Sequence, residues 1–351
     1  MSDAALSPTG ITLGKGREAE ESVLLAMRER AIGGSSAVFL GVPGSGKSAL
    51  AYLMVEQRRR EERVFVRGNT DDGWWWWFGR DALVWVPEGC TAEVYGLAGE
   101  SKIPIDADVR TYASGPDLME RAELGKVNVL YWPGEGWGRW VSFLAALVDR
   151  DDRLPQLVLD DEAHETFPES GFGGEDAGEQ PFDRIKRFIR ILAHSRRAEV
   201  SYLLAGHQGF DIHYAVLGKM HYTLLLAGSR VPRHVEQVAS DEVLYGLGRI
   251  CGRLHRGRAV AVGPTPAGYV YEEVGSDESP IPPPPMRQFT VVVRVGGWVG
   301  SPPPSTRMEG IDSGSEYSCS DCGHRWRSRG TTHRCPREEC RSRHVAPTEV
   351  E

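Results

Sequence analysis

The stretch Ser35-Ser36-Ala37-Val38-Phe39-Leu40-Gly41-Val42-Pro43-Gly44-Ser45-Gly46-Lys47-Ser48, continued by ALAYLMVEQRRREE through residue 62, decides how the chain is read. Residues 37–40 form the continuous apolar run of a buried strand. Residues 41–48 fit G-x-x-x-x-G-K-S/T, and the apolar residues that follow recur at helical spacing. Strand, glycine turn and helix in this order make a phosphate cradle. Glycines let successive backbone N–H groups curl around a β-phosphate, and the helix N-terminus adds partial positive charge. Gly41, Pro43, Gly44, Ser45 and Gly46 would line that cradle. Lys47 would reach the β/γ-oxygens of a nucleoside triphosphate and the Ser48 hydroxyl would ligate Mg²⁺.

Further along, LVLDDE (157–162) is an apolar strand that ends in acid. Asp161 is the candidate to hold the Mg²⁺ shell and Glu162 the candidate to polarise an attacking water. A register shifted by one residue would instead make Asp160 and Asp161 the working pair; Asp161 and Glu162 are preferred. The strand-like VSYLLAGHQ (200–208) closes on His207-Gln208. Ligands of parallel sheets sit at the carboxyl edge, so Gln208 is read either as a γ-phosphate sensor or as a turn residue. Arg197, beside Arg196 at a helix end, is an arginine-finger candidate or a solvated cation.

Outward from these motifs, VFVRG (64–68), ALVWVP (82–87), VNVLYWP (127–133), YTLLLAG (222–228) and AVAVG (259–263) read as strands. They alternate with helical stretches at 115–124, 138–150, 182–197 and 242–256. Such alternation predicts an α/β domain over 35–275, a mainly parallel sheet with helices on both faces. Residues 1–34 are expected to be an N-terminal helical segment. Residues 276–316 read as a proline-rich linker around FTVVVRV (289–295), itself either an extra edge strand of the main domain or a strand donated to a neighbouring subunit. Trp74-Trp75-Trp76-Trp77, taken as a strand, would send alternate rings to opposite sides. Core packing, subunit contact and base stacking all remain open for them, with packing favoured.

The last segment, 317–351, carries Cys319-x2-Cys322 and Cys335-x4-Cys340. Two thiolate pairs at that spacing predict a closed, structural Zn²⁺ site, and a module this small would draw its folding energy from the metal. Arg325, Arg327, Arg329, Arg334, Arg337, Arg341 and Arg343 surround Trp326 there, a mixture suited to phosphate contact and base stacking or to docking on protein. The net charge of −8 argues against coating nucleic acid by bulk charge but leaves room for such a local basic module. No run approaches the ~18 apolar residues of a membrane span, and the start, MSDAALSPTG, has no signal-peptide pattern. A cytoplasmic setting is therefore expected.

The set GVPGSGKS, LVLDDEAH and SRRAEVSYLLAGHQ resembles the FtsK–HerA superfamily of DNA-pumping ATPases, and within it the zonula occludens toxin-like and viral DNA-packaging branch. GRICGRLHRGRAVAVG is similar to the superfamily's closing helix and last strand, so the resemblance spans about residues 35 to 265. It implies a RecA-like core, ATP hydrolysis, a homo-oligomeric ring and movement of double-stranded DNA, in a genome-packaging setting with a capsid or assembly protein as a possible partner. The alternative it leaves is an assembly ATPase that uses ATP as a switch. His207-Gln208 departs from the commoner Thr-Gln. Asp161-Glu162-Ala163-His164 also spells a helicase signature, but too little chain follows for the second tandem domain such enzymes need.

Overall fold

The computed structural model describes residues 34–69, 73–134, 136–150, 154–169, 180–255, 258–265, 268–274, 290–296, 315–319, 325–328 and 345–347. The chain divides into two compact units, Met1–Val299 and Gly300–Glu351. Strands of the first unit are β1 (Ser36–Leu40), β2 (Arg63–Arg67), β3 (Ala82–Pro87), β4 (Ala92–Ala98), β5 (Ser101–Pro104), β6 (Asp108–Tyr112), β7 (Val127–Leu130), β8 (Gln156–Asp160), β9 (Val200–Gly206), β10 (Tyr222–Leu226), β11 (Ala259–Thr265), β12 (Gly268–Val274) and β13 (Thr290–Val295). Its helices are α1 (Lys47–Arg58), α2 (Gly115–Arg121), α3 (Trp137–Val148), α4 (Ala163–Thr166), α5 (Pro181–Ser195), α6 (Tyr214–Leu217), α7 (Arg233–Glu236) and α8 (Asp241–Cys251), plus a 3-10 helix at Trp74–Asp81.

Ten of these strands make one sheet in the order β12-β11-β10-β1-β9-β8-β2-β7-β3-β6. All neighbours from β10 through β6 run parallel; β11 and β12 are antiparallel at one edge. Burial on both faces explains the continuous apolar runs. Along β1, Ala37 and Phe39 enter one core while Val38 and Leu40 enter the other, and β2 and β3 divide the same way. One face is covered by α2, α3, α5, α6, α7 and α8; the other by α1, the 3-10 helix and β13. The expected α/β architecture, a mainly parallel sheet with helices on both faces, is present.

The details differ in instructive places. The tryptophan run is not a strand. Trp74 and Trp75 are 2% and 1% exposed and, with Phe78, seal the sheet face beside α1, where Tyr52 meets the Trp77 ring edge-on at 5.8 Å. Trp75 Nε1 donates to Tyr131 Oη at 2.7 Å, so its polar atom is satisfied inside the core. FTVVVRV contributes β13, which pairs antiparallel with β4 as the edge of a small β13-β4-β5 sheet, not with the ten-stranded one. Gly73 makes room for it: a Cβ there would lie 2.5 Å from Val291 Cβ. The second unit contains a three-stranded antiparallel sheet of β14 (Ser315–Cys319), β15 (Arg325–Ser328) and β16 (Val345–Pro347), with β14 central. The expected helix in 1–34 and the thiols of Cys319, Cys322, Cys335 and Cys340 lie outside the described residues. Among the described residues no helix is long and apolar enough to cross a membrane.

Candidate phosphate-binding site

The register aligns the carboxyl ends of four central strands at one sheet edge. Leu40 pairs with Gly206 and with Leu225, and Asp160 with Leu204. The glycine loop leaves β1 there and is stitched to its neighbours. Gly41 N–H donates to the carbonyls of Gly206 (3.3 Å) and His207 (3.0 Å), and Val42 N–H donates to Ala227 O at 3.2 Å. Gly44 and Gly46 have φ of 75° and 105°, a left-handed backbone that costs glycine little. Gly41 is equally constrained, since a Cβ would meet the Ser45 hydroxyl and lie 2.9 Å from Leu226 Cβ.

Helix α1 starts with Gly46 as its cap, without a side-chain capping bond and without an acidic residue in its first turn. Its N-terminal amides and positive dipole end are thereby kept for an anion. The Ser45 hydroxyl is buried with no partner inside this loop. Lys47, 8% exposed, folds back over the loop and donates to Gly41 O at 2.8 Å, with His207 Nδ1 3.4 Å away. Burial pulls the Lys47 pKa below its ordinary value, against the attraction of Glu162 and Asp161. An ammonium so desolvated is primed for a phosphate.

Strand β8 ends at Asp160, two residues sooner than the sequence pattern predicts, and this separates the three acids. Asp160 is fully buried and committed to structure. It accepts hydrogen bonds from Arg67 Nε (2.8 Å), Trp140 Nε1 (3.1 Å) and Thr166 Oγ1 (2.7 Å). Arg67 also donates to Glu162 O at 3.3 Å and to Glu165 Oε2 at 3.0 Å, fixing the turn after β8. Asp161 and Glu162 occupy that turn, just past the strand end. Ser48, half-buried in the first turn of α1, and Asp161 offer a hydroxyl and a carboxylate, the hard oxygen donors that Mg²⁺ takes.

Glu162 stands between two imidazoles. Its Oε2 is 3.1 Å from His164 Nδ1 and 3.7 Å from His207 Nε2. Burial works to raise the Glu162 pKa, but the approach of His164 and the charges of His164, His207 and Lys47 outweigh it and hold the carboxyl below its ordinary value. His164 is in turn raised, by Glu162 first, against its own burial. Gln208 sits beside this group, just past the end of β9. Its Nε2 donates to Gly228 O (2.9 Å) and its backbone N–H to Asp211 Oδ2 (3.0 Å).

Lys47, Asp161, Glu162 and the His207-Gln208 turn are thus gathered at one edge. Arg197 is not. It is exposed in the turn before β9, at the amino end of that strand and so at the opposite edge of the sheet. The imidazoles around Glu162 are the part of the site that motif reading passed over. Their signal was present in the polar residues that follow β8 and β9.

No protein-family model matches the chain, and no curated protein matches it in sequence. Among solved structures it is similar to the genome packaging NTPase B204 from Sulfolobus turreted icosahedral virus 2 in complex with AMPPCP, at 12% identity and a TM-score of 0.44, covering 68% of this chain and 96% of that one. It is similar to the pCW3 conjugation coupling protein TcpA with ATPγS, at 11% identity and a TM-score of 0.39, over 76% of this chain and 66% of that one. The N-terminal domain of zonular occludens toxin from Neisseria meningitidis follows at 12% identity and a TM-score of 0.26, over 65% and 82%.

Proposed function

We propose that this chain is a P-loop ATPase that hydrolyses ATP to move double-stranded DNA, as a viral or mobile-element packaging motor of the FtsK–HerA kind. The observation that carries the ATPase part is the buried Lys47 folded over the glycine loop, 3.4 Å from His207, which in turn lies 3.7 Å from Glu162 at the carboxyl edge of one parallel sheet. Lys47 and the loop amides of residues 44–48 bind the phosphates. Ser48 and Asp161 would hold Mg²⁺, which would neutralise the negative charge of the phosphates when bound. Glu162 takes the proton of the attacking water, and Gln208 orients that water or senses the γ-phosphate. Arg197, about 20 Å away along β9 at 3.3 Å per residue, serves a neighbouring chain's nucleotide in a ring. The cysteines Cys319, Cys322, Cys335 and Cys340 supply a four-thiolate donor set for one structural Zn²⁺. The arginines around them contact DNA phosphates in a cytoplasmic or virion-associated setting, with a capsid or assembly protein as a further partner.

The test is ATP turnover by the full chain with and without duplex DNA over a range of salt. Stimulation that weakens as salt rises supports the motor, because each neutralised phosphate releases counterions. Turnover indifferent to DNA overturns the motor and leaves an assembly switch; no turnover at all overturns the ATPase.

A further inference from the structure

We propose that Glu162, His164 and His207 form a binding site for a divalent transition-metal ion of the zinc class, distinct from the Ser48–Asp161 pair. Two imidazole nitrogens and one carboxylate oxygen are a donor set that zinc and its neighbours favour and that Mg²⁺, which prefers oxygen alone, does not. The three ligand atoms lie within 4.8 Å of one another. Bonds of about 2.0–2.2 Å to a shared ion place ligand atoms roughly 3.0–3.5 Å apart. The separations of 3.1 Å and 3.7 Å from Glu162 Oε2 are already close to that.

A second observation points the same way. Glu162 Oε2 and His164 Nδ1 are both buried and face each other at 3.1 Å, their contact falling short of hydrogen-bond geometry. An ion bound here would take the place of this pairing and hold both atoms at once. The rings of His164 and His207 lie 5.0 Å apart and tilted by 48°. His207 directly follows β9, and His164 lies in α4, just after the turn that ends the adjacent parallel strand β8.

Lys47 opposes the ion. Its ammonium is 3.4 Å from His207 Nδ1, the nitrogen that must carry the proton when Nε2 ligates. Ion binding therefore requires Lys47 to give up His207 and keep Gly41 O or a phosphate. A metal held here also occupies the carboxylate assigned to the water, so bound nucleotide would persist while hydrolysis stops. That consequence rests on the ATPase reading; the binding itself does not.

The experiment titrates Co²⁺ into the nucleotide-free full chain and into its His164→Ala and His207→Ala variants, following visible absorption. The wild type is expected to take up one equivalent that lacks thiolate charge-transfer absorption, which separates it from the C-terminal cysteines. Either variant loses that component, and Lys47→Ala binds it more tightly. His164→Gln and His207→Gln repeat the measurement with polarity and bulk retained, should an alanine variant not fold. Equal uptake of the nitrogen- and oxygen-type component by wild type and folded variants overturns the site. A wild type that binds Co²⁺ but never hydrolyses ATP supports the site and rejects the ATPase reading. Hydrolysis with no such Co²⁺ component does the reverse.

Discussion

Lys47 has a carbonyl and an imidazole for company before any phosphate arrives, so its removal leaves no comparable cation in the loop. Charge-assisted hydrogen bonds of about 1.5–3 kcal/mol set the expected effect: Lys47→Ala weakens ATP binding roughly 10- to 100-fold, read by titration of a fluorescent analogue. Unchanged affinity would remove the phosphate assignment. Glu162→Gln retains the side chain's size but cannot take a proton, so binding persists and kcat falls by about 10² to 10⁴. If turnover survives, the role passes to a neighbour. Asp160, adjacent in sequence, serves a different end. Arg67 and Asp160 are 4% and 1% exposed, and deleting one partner strands the other in the core. Arg67→Met is therefore expected to destabilise by about 3–5 kcal/mol in urea unfolding, a cost that a surface pair would not show.

At the scale of elements, α7 is held to β10 by His234, whose Nε2 lies 2.9 Å from Thr223 Oγ1 while its Nδ1 is buried without a partner. Burial pushes its pKa down to about 4. The unfolded chain takes up that proton near pH 6.5 and the folded chain does not. This contribution to stability is therefore whole above about pH 6.5 and is lost as pH falls toward 4, by at most about 3 kcal/mol. Comparing pH-dependent unfolding of wild type and His234→Gln isolates the effect, and parallel curves would refute it. Elements differed in how plainly the sequence announced them. β1, β3 and β10 were legible because burial on both faces makes them unbroken apolar runs. β4, β5 and β6 were not, because β5 and β6 are largely exposed, β4 is only partly buried, and polar residues interrupt all three. The tryptophan run misled through its aromatic content, which suits strands, although the rings fill a helix-shaped gap beside α1. In the site, Lys47, Asp161 and Glu162 were readable because their motifs are contiguous. The partnership of Glu162 with His207 was not, since it arises only from β8 and β9 lying side by side in register.

For the whole molecule, the pairing of β13 with β4 decides where the chain can be cut. Truncation after residue 299 keeps the first compact unit, and its thermal midpoint is expected to match that of the same unit in the full chain. Truncation after residue 275 strips β13 from β4 and from its packing against Gly73, exposing Val291's place in the core. That shorter chain should melt several degrees lower; equal midpoints would mean that β13 adds nothing to the unit. The same pairing has a consequence in time. Strand β4 leaves the ribosome early, whereas its partner is encoded almost 200 residues later. At roughly 5–20 residues per second, an edge strand waits roughly 10–40 s for its mate while the rest of the unit is being made. Through that interval the nascent chain carries an open β-edge next to the tryptophan-rich face, and this is the stage at which chaperones or premature strand exchange between nascent chains would act on it.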